Sequence, residues 1–177
     1  MGRFQILTGD ITSDELLRGH DLIVNPTNPQ MVCGGGVAGA IFRKAGADKL
    51  QQYTQEHFAI HSFSDDYNPD NAMKIGEVRV TPGFNLPMDI LFVQGPKRWE
   101  HESAIDLLLQ TYRNMLDEID RRGYKHVLVP SLGTGIYGFD HAETGPLVAH
   151  LITDFLKDKD VDIDFVVYEE ENAGYYC

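Results

Sequence analysis

A run of three glycines constrains this chain more than any other feature. Gly34, Gly35 and Gly36 follow a predicted strand and turn over residues 20–29, and they lead into a helical run that starts at Val37. Glycine has no Cβ atom, so such a loop can take positive φ angles and let a ligand approach the backbone closely. Its amides, together with the unpaired N–H groups of the next helix, suit an anion, most often phosphate. A flexible linker is the alternative explanation of the same residues.

A second glycine loop, over residues 130–138, argues against a linker. It follows the apolar run 126–129 and precedes a helix expected to begin near Asp140. Ligands in open α/β sheets bind outside the carboxyl ends of strands, so two such loops predict a pincer with one loop on each side of a diphosphate. Neither loop ends in the Lys-Ser or Lys-Thr of a P-loop, and neither has the dinucleotide-binding fingerprint. The sequence therefore favours a diphosphate held by backbone amides without a lysine.

Strands and helices are predicted to alternate along the chain. The expected strands cover residues 4–7, 20–24, 77–81, 89–94, 126–129 and 163–168. The expected helices cover residues 13–17, 37–45, 47–61, 102–122 and 142–155, and residues 62–71 are expected to form a polar surface loop. This alternation predicts a three-layer α/β/α sandwich. We find no internal repeat and no linker, so we expect one domain over residues 1–177.

The acidic composition narrows the classes of partner. The chain has 27 Asp and Glu residues against 15 Lys and Arg residues, a net charge of −12, whereas a general nucleic-acid-binding surface needs a basic footprint. No apolar run approaches the roughly 20 residues of a membrane-spanning helix, and the Met1-Gly2 start lacks the context of a myristoylation signal. The two cysteines, Cys33 and Cys177, provide no disulfide framework, which favours a reducing cytoplasm.

Two polar positions leave alternatives open. His57 and His61 stand four residues apart beside Glu56. The glutamate is on the wrong side for the zinc-protease pattern, so we expect surface histidines and no metal. Asp10 follows the first strand, where its carboxylate either accepts a hydrogen bond from the exocyclic amine of a ligand or caps a turn.

Six short motifs are distributed along the chain in a fixed order. They are GDIT at Gly9–Thr12, IVNPTN at Ile23–Asn28, CGGGVAGAIFRKAG at Cys33–Gly46, IGEVRVTPGFNLP at Ile75–Pro87, VQGP at Val93–Pro96 and GTGIYGF at Gly133–Phe139. In this order they resemble the macrodomain family of ADP-ribose-binding modules, and the resemblance runs nearly end to end. It implies a sandwich with a central mixed sheet, and ADP-ribose or an ADP-ribosylated protein as the partner, with no cofactor.

The resemblance also implies roles for individual residues. Asp10 matches the aspartate that binds the adenine amino group, and Tyr168 matches the aromatic residue that stacks on adenine. Asn28 matches the asparagine that holds the distal ribose, the one without adenine, near its reactive carbon. Tyr137 matches the aromatic residue beside that ribose, so Asn28 and Tyr137 are the implied catalytic residues. The other implied ligand-binding residues are Ile11, Gly34, Gly35, Gly36, Val37, Gly133, Thr134, Gly135 and Ile136.

Two positions depart from the family pattern. Ala38 stands where the cellular hydrolase branch has an aspartate, although viral macrodomains that carry the same GGGVAGA sequence resemble hydrolases. Gly133 stands where a serine is common. The branch with a catalytic lysine and the branch with paired glutamates are not matched.

The resemblance therefore implies two competing functions. The first is a hydrolase that removes mono-ADP-ribose from protein carboxylates, or processes ADP-ribose derivatives such as O-acetyl-ADP-ribose and ADP-ribose-1″-phosphate. The second is a non-enzymatic reader that only binds ADP-ribose. Asn28 and Tyr137 favour the hydrolase and Ala38 favours the reader. We expect the hydrolase.

Overall fold

A computed structural model describes residues 1–61 and 65–177. The strands are β1 (Phe4–Thr8), β2 (Leu22–Pro26), β3 (Val78–Thr81), β4 (Asp89–Val93), β5 (His126–Pro130) and β6 (Asp162–Val167). The helices are α1 (Asp14–Leu17), α2 (Gly36–Ala45), α3 (Ala47–His57), α4 (Ala104–Arg122) and α5 (His141–Leu156). Two further segments, Pro69–Asn71 and the C-terminal Glu170–Tyr176, are 3₁₀ helices. The predicted alternation of strands and helices is confirmed.

The strands form one mixed sheet in the order β1-β6-β5-β2-β4-β3. Every neighbouring pair is parallel except β3 and β4, which are antiparallel. At the centre β5 lies beside β2, with Val127 opposite Leu22. Both glycine loops follow the carboxyl ends of these two strands, so they leave the sheet side by side at the same edge.

Helices cover both faces of the sheet. α4 and α5 pack on one face through residues such as Leu108 and Ile152. α2 and α3 pack on the other face through residues such as Ile41 and Leu50. The first four residues of β2 are buried, as expected of a central parallel strand covered on both sides. The expected three-layer α/β/α sandwich with a mixed sheet is confirmed.

Helix α2 is in close contact with the first glycine loop. A Cβ atom at Gly39 would stand 1.9 Å from the carbonyl oxygen of Gly34, so only glycine permits this approach. Gly35 is the N-cap of α2 and no side chain caps the helix. The N–H groups of the first turn therefore have no partner within the helix, which leaves them for a ligand.

Helix α3 is shorter than predicted, because it ends at His57 rather than at residue 61. Ala59 adopts a left-handed φ of 55°. The N–H groups of Ala59 and Ile60 bond to the carbonyls of Glu56 and Gln55, which is the bond pair of a Schellman motif. This turn buries Ile60 completely. The prediction was wrong because alanine, rather than glycine, occupies the left-handed position.

Strand β2 is also displaced from its predicted position. It begins at Leu22 rather than at His20, because the N–H of His20 still bonds to Leu17 in the turn that closes α1. At its other end it continues through Asn25 and Pro26, which pair with β4. The segment expected to be a turn therefore starts only after Pro26.

The predicted surface features have separate outcomes. Residues 62–64 of the expected loop lie outside the described residues, and the described part ends in the 3₁₀ helix Pro69–Asn71. His57 stacks on Tyr53, with ring centroids 4.8 Å apart. Across residues 1–61 and 65–177, no group of three or more His, Cys, Asp or Glu side chains is placed to hold a metal ion. Within the same residues, no helix has the length and apolar character needed to span a membrane.

Replacing Gly39 by alanine should destabilise the protein. Helix propensity alone would favour alanine by about 1 kcal/mol, but the new methyl group collides with the Gly34 carbonyl. Overpacking of this kind costs about 1–3 kcal/mol, so we expect a lower midpoint in urea denaturation. Gly174→Ala is the matched control, since nothing lies within 4 Å of its added Cβ. A Gly39→Ala protein more stable than the parent would contradict the contact.

Candidate functional site

The two glycine loops border one cleft of about 320 Å³ at the carboxyl edge of the sheet. Its lining comes from the first loop, the second loop and the ends of β2 and β4. The lining residues are Pro26, Thr27, Asn28, Gly34, Gly35, Gly36, Val37, Ala38, Val93, Gly95, Ser131, Leu132, Gly133, Gly135, Ile136 and Tyr137. None of them has a charged side chain. An anion in this cleft would therefore be held by neutral hydrogen-bond donors.

Helix α3 fixes the segment that leads into the first loop. The Gln51 side-chain oxygen accepts a hydrogen bond from the N–H of Cys33 at 3.1 Å. The Thr54 hydroxyl donates to the carbonyl of Met31 at 2.8 Å. Thr54 and Met31 are buried, so the second of these contacts is shielded from water. The backbone that leads into the first glycine loop is therefore held in place by α3.

Asn28 has a structural role in this segment. Its Oδ1 accepts from the N–H of Val32 at 3.1 Å, and its Nδ2 donates to the carbonyl of Val32 at 2.9 Å. The amide Nδ2 carries two hydrogens, so one remains for another acceptor. A Cβ atom at Gly34 would stand 3.4 Å from Nδ2; glycine there leaves the amide uncovered. Asn28 can therefore shape the loop and also reach a ligand.

The second loop requires glycine at position 133. Gly133 has a left-handed φ of 79°, and a Cβ atom there would stand 2.7 Å from the ring of Phe139. That ring is buried, and the N–H of Phe139 donates to the Gly133 carbonyl at 3.0 Å. A serine, which the resemblance implies is common at this position, would therefore be strained in this chain.

A segment after β4 holds Tyr137 against the cleft. The N–H of Arg98 donates to the carbonyl of Tyr137 at 2.8 Å, and the Lys97 ammonium lies 5.7 Å from the centre of the Tyr137 ring. Ile136 beside it is 90% exposed. Thr134, which the resemblance also implied, does not line the cleft, and its hydroxyl instead donates to Ser131 at 2.8 Å.

The residues implied for adenine lie outside the lining of the cleft, at the ends of β1 and β6. These strands are neighbours, and the N–H of Gly9 donates to the carbonyl of Val167 at 3.1 Å. Tyr168 follows directly and is 77% exposed. Ile11, in contrast, is 4% exposed and packs in the core, so its side chain offers a ligand little surface.

Asp10 caps a turn and keeps one oxygen for other donors. Its Oδ1 accepts from the hydroxyl of Thr12 at 2.7 Å and from the N–H of Thr12 at 2.9 Å. These two hydrogen bonds, the side-chain one first, hold the pKa of Asp10 below its usual value, against a smaller opposing effect of burial. Asp10 is therefore an anionic acceptor, and the two alternatives left open by the sequence are compatible.

A second depression, with a volume of about 490 Å³, lies away from the cleft between the glycine loops and is a weaker candidate for an anion-binding site. It is lined by Phe58, Asn71, Glu77 and Arg79, among others. The Arg79 guanidinium is already used within the protein, by Glu77 at 2.8 Å and the Asn71 carbonyl at 2.8 Å. Lys74 also lines this depression, but its strongest donor, Arg79, is already paired.

Sequence reasoning missed several residues that line the cleft. Ser131 and Leu132 belong to the second loop but were not among the implied ligand-binding residues. Val93 and Gly95 lie at the carboxyl end of β4. Because β4 is a parallel neighbour of β2, its end had to reach the same edge. That neighbour relation is the signal that could have identified Val93 and Gly95.

The family model for the macro domain matches residues 24–148. The chain belongs to the macrodomain family. The O-acetyl-ADP-ribose deacetylase of Cronobacter turicensis is 31% identical over 179 residues, covering 99% of this chain and 94% of that protein. The enzyme of the same name from Escherichia fergusonii is 32% identical over 178 residues, covering 98% of this chain and 93% of that protein.

Solved macrodomain structures have the same architecture. The Oceanobacillus iheyensis macrodomain with ADP superposes with a TM-score of 0.82 at 31% identity, covering 97% of this chain and 86% of that one. The Trypanosoma brucei macrodomain in complex with ADP-ribose has a TM-score of 0.76 at 26% identity, covering 98% of this chain and 67% of that one.

Restoring the serine that is common in the family at position 133 should destabilise this macrodomain. Gly133→Ser places a side chain on a left-handed backbone and against the buried Phe139 ring. Such strain costs about 1–3 kcal/mol, which thermal unfolding would register as a lower midpoint. Gly135→Ser is the control, because nothing lies within 4 Å of its added Cβ. Equal stability of the two variants would contradict this account of Gly133.

Proposed function

We propose that this macrodomain binds ADP-ribose between its glycine loops and hydrolyses esters that join a carboxylic acid to the distal ribose. The main support is one observation. β5 and β2 are parallel neighbours, so the glycine loops that follow them border the same cleft, which has no charged side chain in its lining. Backbone N–H groups at the start of α2 are suited to a diphosphate. The relatives named O-acetyl-ADP-ribose deacetylase support ester hydrolysis as the activity.

The ligand would lie along the carboxyl edge of the sheet. Adenine stacks on Tyr168 and donates its amine to Asp10, at the ends of β6 and β1. The diphosphate lies between the loops that follow β5 and β2, and the distal ribose lies beside Asn28 and Tyr137. β1 and β2 are three positions apart in the sheet, roughly 14 Å at normal strand spacing. That span suits a nucleotide with a second ribose. Stacking on Tyr168 would contribute on the order of 1–3 kcal/mol.

Hydrolysis here would proceed without a protein carboxylate. Water supplies the oxygen, the ester bond breaks, and the products are ADP-ribose and the free carboxylic acid. Ala38 provides no group to orient that water, so the diphosphate of the substrate itself is the nearest anion able to do so. Asn28 fixes the distal ribose through the amide hydrogen not used by Val32. Positioning of this kind can contribute several kcal/mol to lowering a barrier.

The proposed substrates share one chemical bond. O-acetyl-ADP-ribose and a protein carrying mono-ADP-ribose on a glutamate or aspartate are both carboxylic esters of the distal ribose. We include the ADP-ribosylated protein as a partner because Ile136, at the rim of the cleft, is 90% exposed. Residues 1–177 would act as one unit, since β1 pairs with β6 near the other end of the chain.

A non-enzymatic ADP-ribose reader is the second candidate. The absence of a charged group among the residues that line the cleft favours it. A reader needs only the loops, Asp10 and Tyr168, whereas a hydrolase must also orient water. The two candidates therefore predict the same binding and different turnover.

Gly35→Glu should abolish binding of ADP-ribose. Gly35 has an ordinary backbone with φ −92°, and no atom lies within 4 Å of an added Cβ, so the variant should fold. Its carboxylate would occupy the place of the diphosphate and repel it. Gly35→Ala, which adds bulk without charge, should retain most of the affinity. Isothermal titration calorimetry compares the affinities of the three proteins for ADP-ribose. Tight binding by Gly35→Glu would exclude a diphosphate site between the two glycine loops.

Turnover separates the hydrolase from the reader. We expect the parent to release ADP-ribose from the acetyl ester and from a glutamate-linked protein without added metal. Asn28→Ala should slow that release at least about tenfold more than it weakens ADP-ribose binding, the signature of an interaction made mainly in the transition state. Ala38→Asp should accelerate release, because it supplies the missing carboxylate.

Release and binding are measured on the same preparations. Thermal unfolding of Asn28→Ala shows whether the loss of the Val32 contacts has loosened the loop. Binding without release above the uncatalysed rate, at high enzyme concentration and with both substrates, would establish the reader instead.

A further inference from the structure

A chain of hydrogen bonds runs from the cleft to the C-terminal 3₁₀ helix. The Thr134 hydroxyl donates to Ser131 Oγ at 2.8 Å. Ser131 Oγ lies 2.8 Å from the hydroxyl of Tyr176, which lies 2.7 Å from Nδ1 of His141. Ser131 lines the cleft, whereas Tyr176 is buried beneath it. A residue of the cleft wall is thus connected to an imidazole outside the lining.

The capacity of Ser131 as a donor depends on the direction of these bonds. A serine hydroxyl has one hydrogen and two acceptor positions, and Thr134 fills one of the positions. If Tyr176 donates to Ser131, the second position is filled. The Ser131 hydrogen can then go either to the hydroxyl of Tyr112, which also interacts with Ser131, or to an anion in the cleft, which is the stronger acceptor. If Ser131 donates to Tyr176, that hydrogen is consumed. Burial raises the pKa of Tyr176 to about 12, although its bond with Ser131 lowers it somewhat, so Tyr176 keeps its hydrogen at neutral pH.

His141 determines which direction is allowed. A protonated imidazole carries hydrogen on both ring nitrogens, so it must donate to Tyr176. Tyr176 must then donate to Ser131. A neutral imidazole can instead accept from Tyr176 at Nδ1, which permits the opposite direction along the whole chain.

We propose that Tyr176 and His141 are positioning residues that turn the Ser131 hydroxyl into a hydrogen-bond donor for the diphosphate of a ligand in the cleft. This rests on the proposed function, because it requires an anionic ligand. Anion binding and His141 protonation favour the same arrangement, so each strengthens the other. ADP-ribose should therefore raise the pKa of His141, and its affinity should increase as the pH falls through that pKa.

The surroundings of His141 leave it as the group that titrates. Burial lowers its pKa below the usual 6.5, and the carboxylate of Asp140 partly opposes that shift. Glu143, further along α5, is paired with Arg98 at 3.2 Å. β1 has no titratable side chain. α4 and the C-terminal 3₁₀ helix also pack against α5. Among their titratable groups, Tyr112 and Tyr176 are buried, whereas Glu170, Glu171 and Tyr175 are exposed to solvent.

The test compares Ser131→Ala, Tyr176→Phe and a control, Tyr175→Phe. Tyr176→Phe keeps the ring that packs on Phe165 with centroids 4.6 Å apart, so the variant should fold. Tyr175 is the neighbouring tyrosine on the same 3₁₀ helix, and its side chain is 42% exposed. Calorimetry measures ADP-ribose affinity at about pH 5.5 and about pH 8, on either side of the histidine range. NMR follows the His141 ring with and without ADP-ribose.

The parent and Tyr175→Phe should bind more tightly at the lower pH and show a ligand-induced rise in the pKa of His141. Ser131→Ala should bind about tenfold more weakly at that pH, as expected for loss of a hydrogen bond to a charged group. In Ser131→Ala and Tyr176→Phe, affinity should not change with pH and the pKa of His141 should not respond to ligand.

Each contrary result has a distinct meaning. Two results would overturn the positioning role and leave the proposed function intact. One is an unchanged affinity of Ser131→Ala for ADP-ribose, and the other is a His141 pKa in the parent that does not change when ADP-ribose binds. A loss shared equally by Tyr175→Phe would also overturn it, since it would indicate a general loosening of the 3₁₀ helix. A parent that does not bind ADP-ribose would refute the proposed function, and the positioning role with it.

Discussion

Parallel pairing of β5 with β2 is the constraint on which the whole site depends. Parallel strands end at the same edge of a sheet, and neighbours are only about 5 Å apart. The two glycine loops, far apart in sequence, must therefore start side by side. The carboxyl ends of β1, β6 and β4 reach this edge for the same reason, and with them Asp10, Tyr168 and Gly95. Of the described strands, β3 alone runs the other way, and it contributes nothing to the cleft.

Each loop is held from behind by a different part of the chain. Side chains of α3 bond the backbone that leads into the first loop. Behind the second loop, Tyr112 of α4 accepts from the N–H of Leu132 at 2.7 Å, and Tyr176 contacts Ser131. Donors fixed in this way lose little freedom when a ligand binds, which is a general route to affinity without charged side chains. An acidic protein can thus offer a site for an anion.

Local patterns were sufficient for the architecture, because hydrophobic periodicity determines which segments become strands and helices. They failed where a contact between distant segments, or an unusual backbone conformation, decides the outcome. Ala59 adopts a left-handed conformation where α3 ends, and the sequence has no glycine there that would have predicted it. The resemblance implied a role for Asn28 at the ligand but not its two bonds to Val32. Tyr176 lies outside every motif, and no local pattern connects it to Ser131 in sequence. The placement of the individual ligand-binding residues stays a prediction.

The pairing of the first strand with the last also determines when the site can be assembled. Phe4 lies opposite Ile163, and the second loop is supported by Tyr176. During synthesis the first glycine loop and α2 leave the ribosome long before β5, β6 and the C-terminal 3₁₀ helix exist. Contacts between such distant segments form late and slowly. Until β5 and the residues after it have been synthesised, only the first of the two glycine loops is present. A nucleotide that binds between both loops would therefore stabilise only the completed fold.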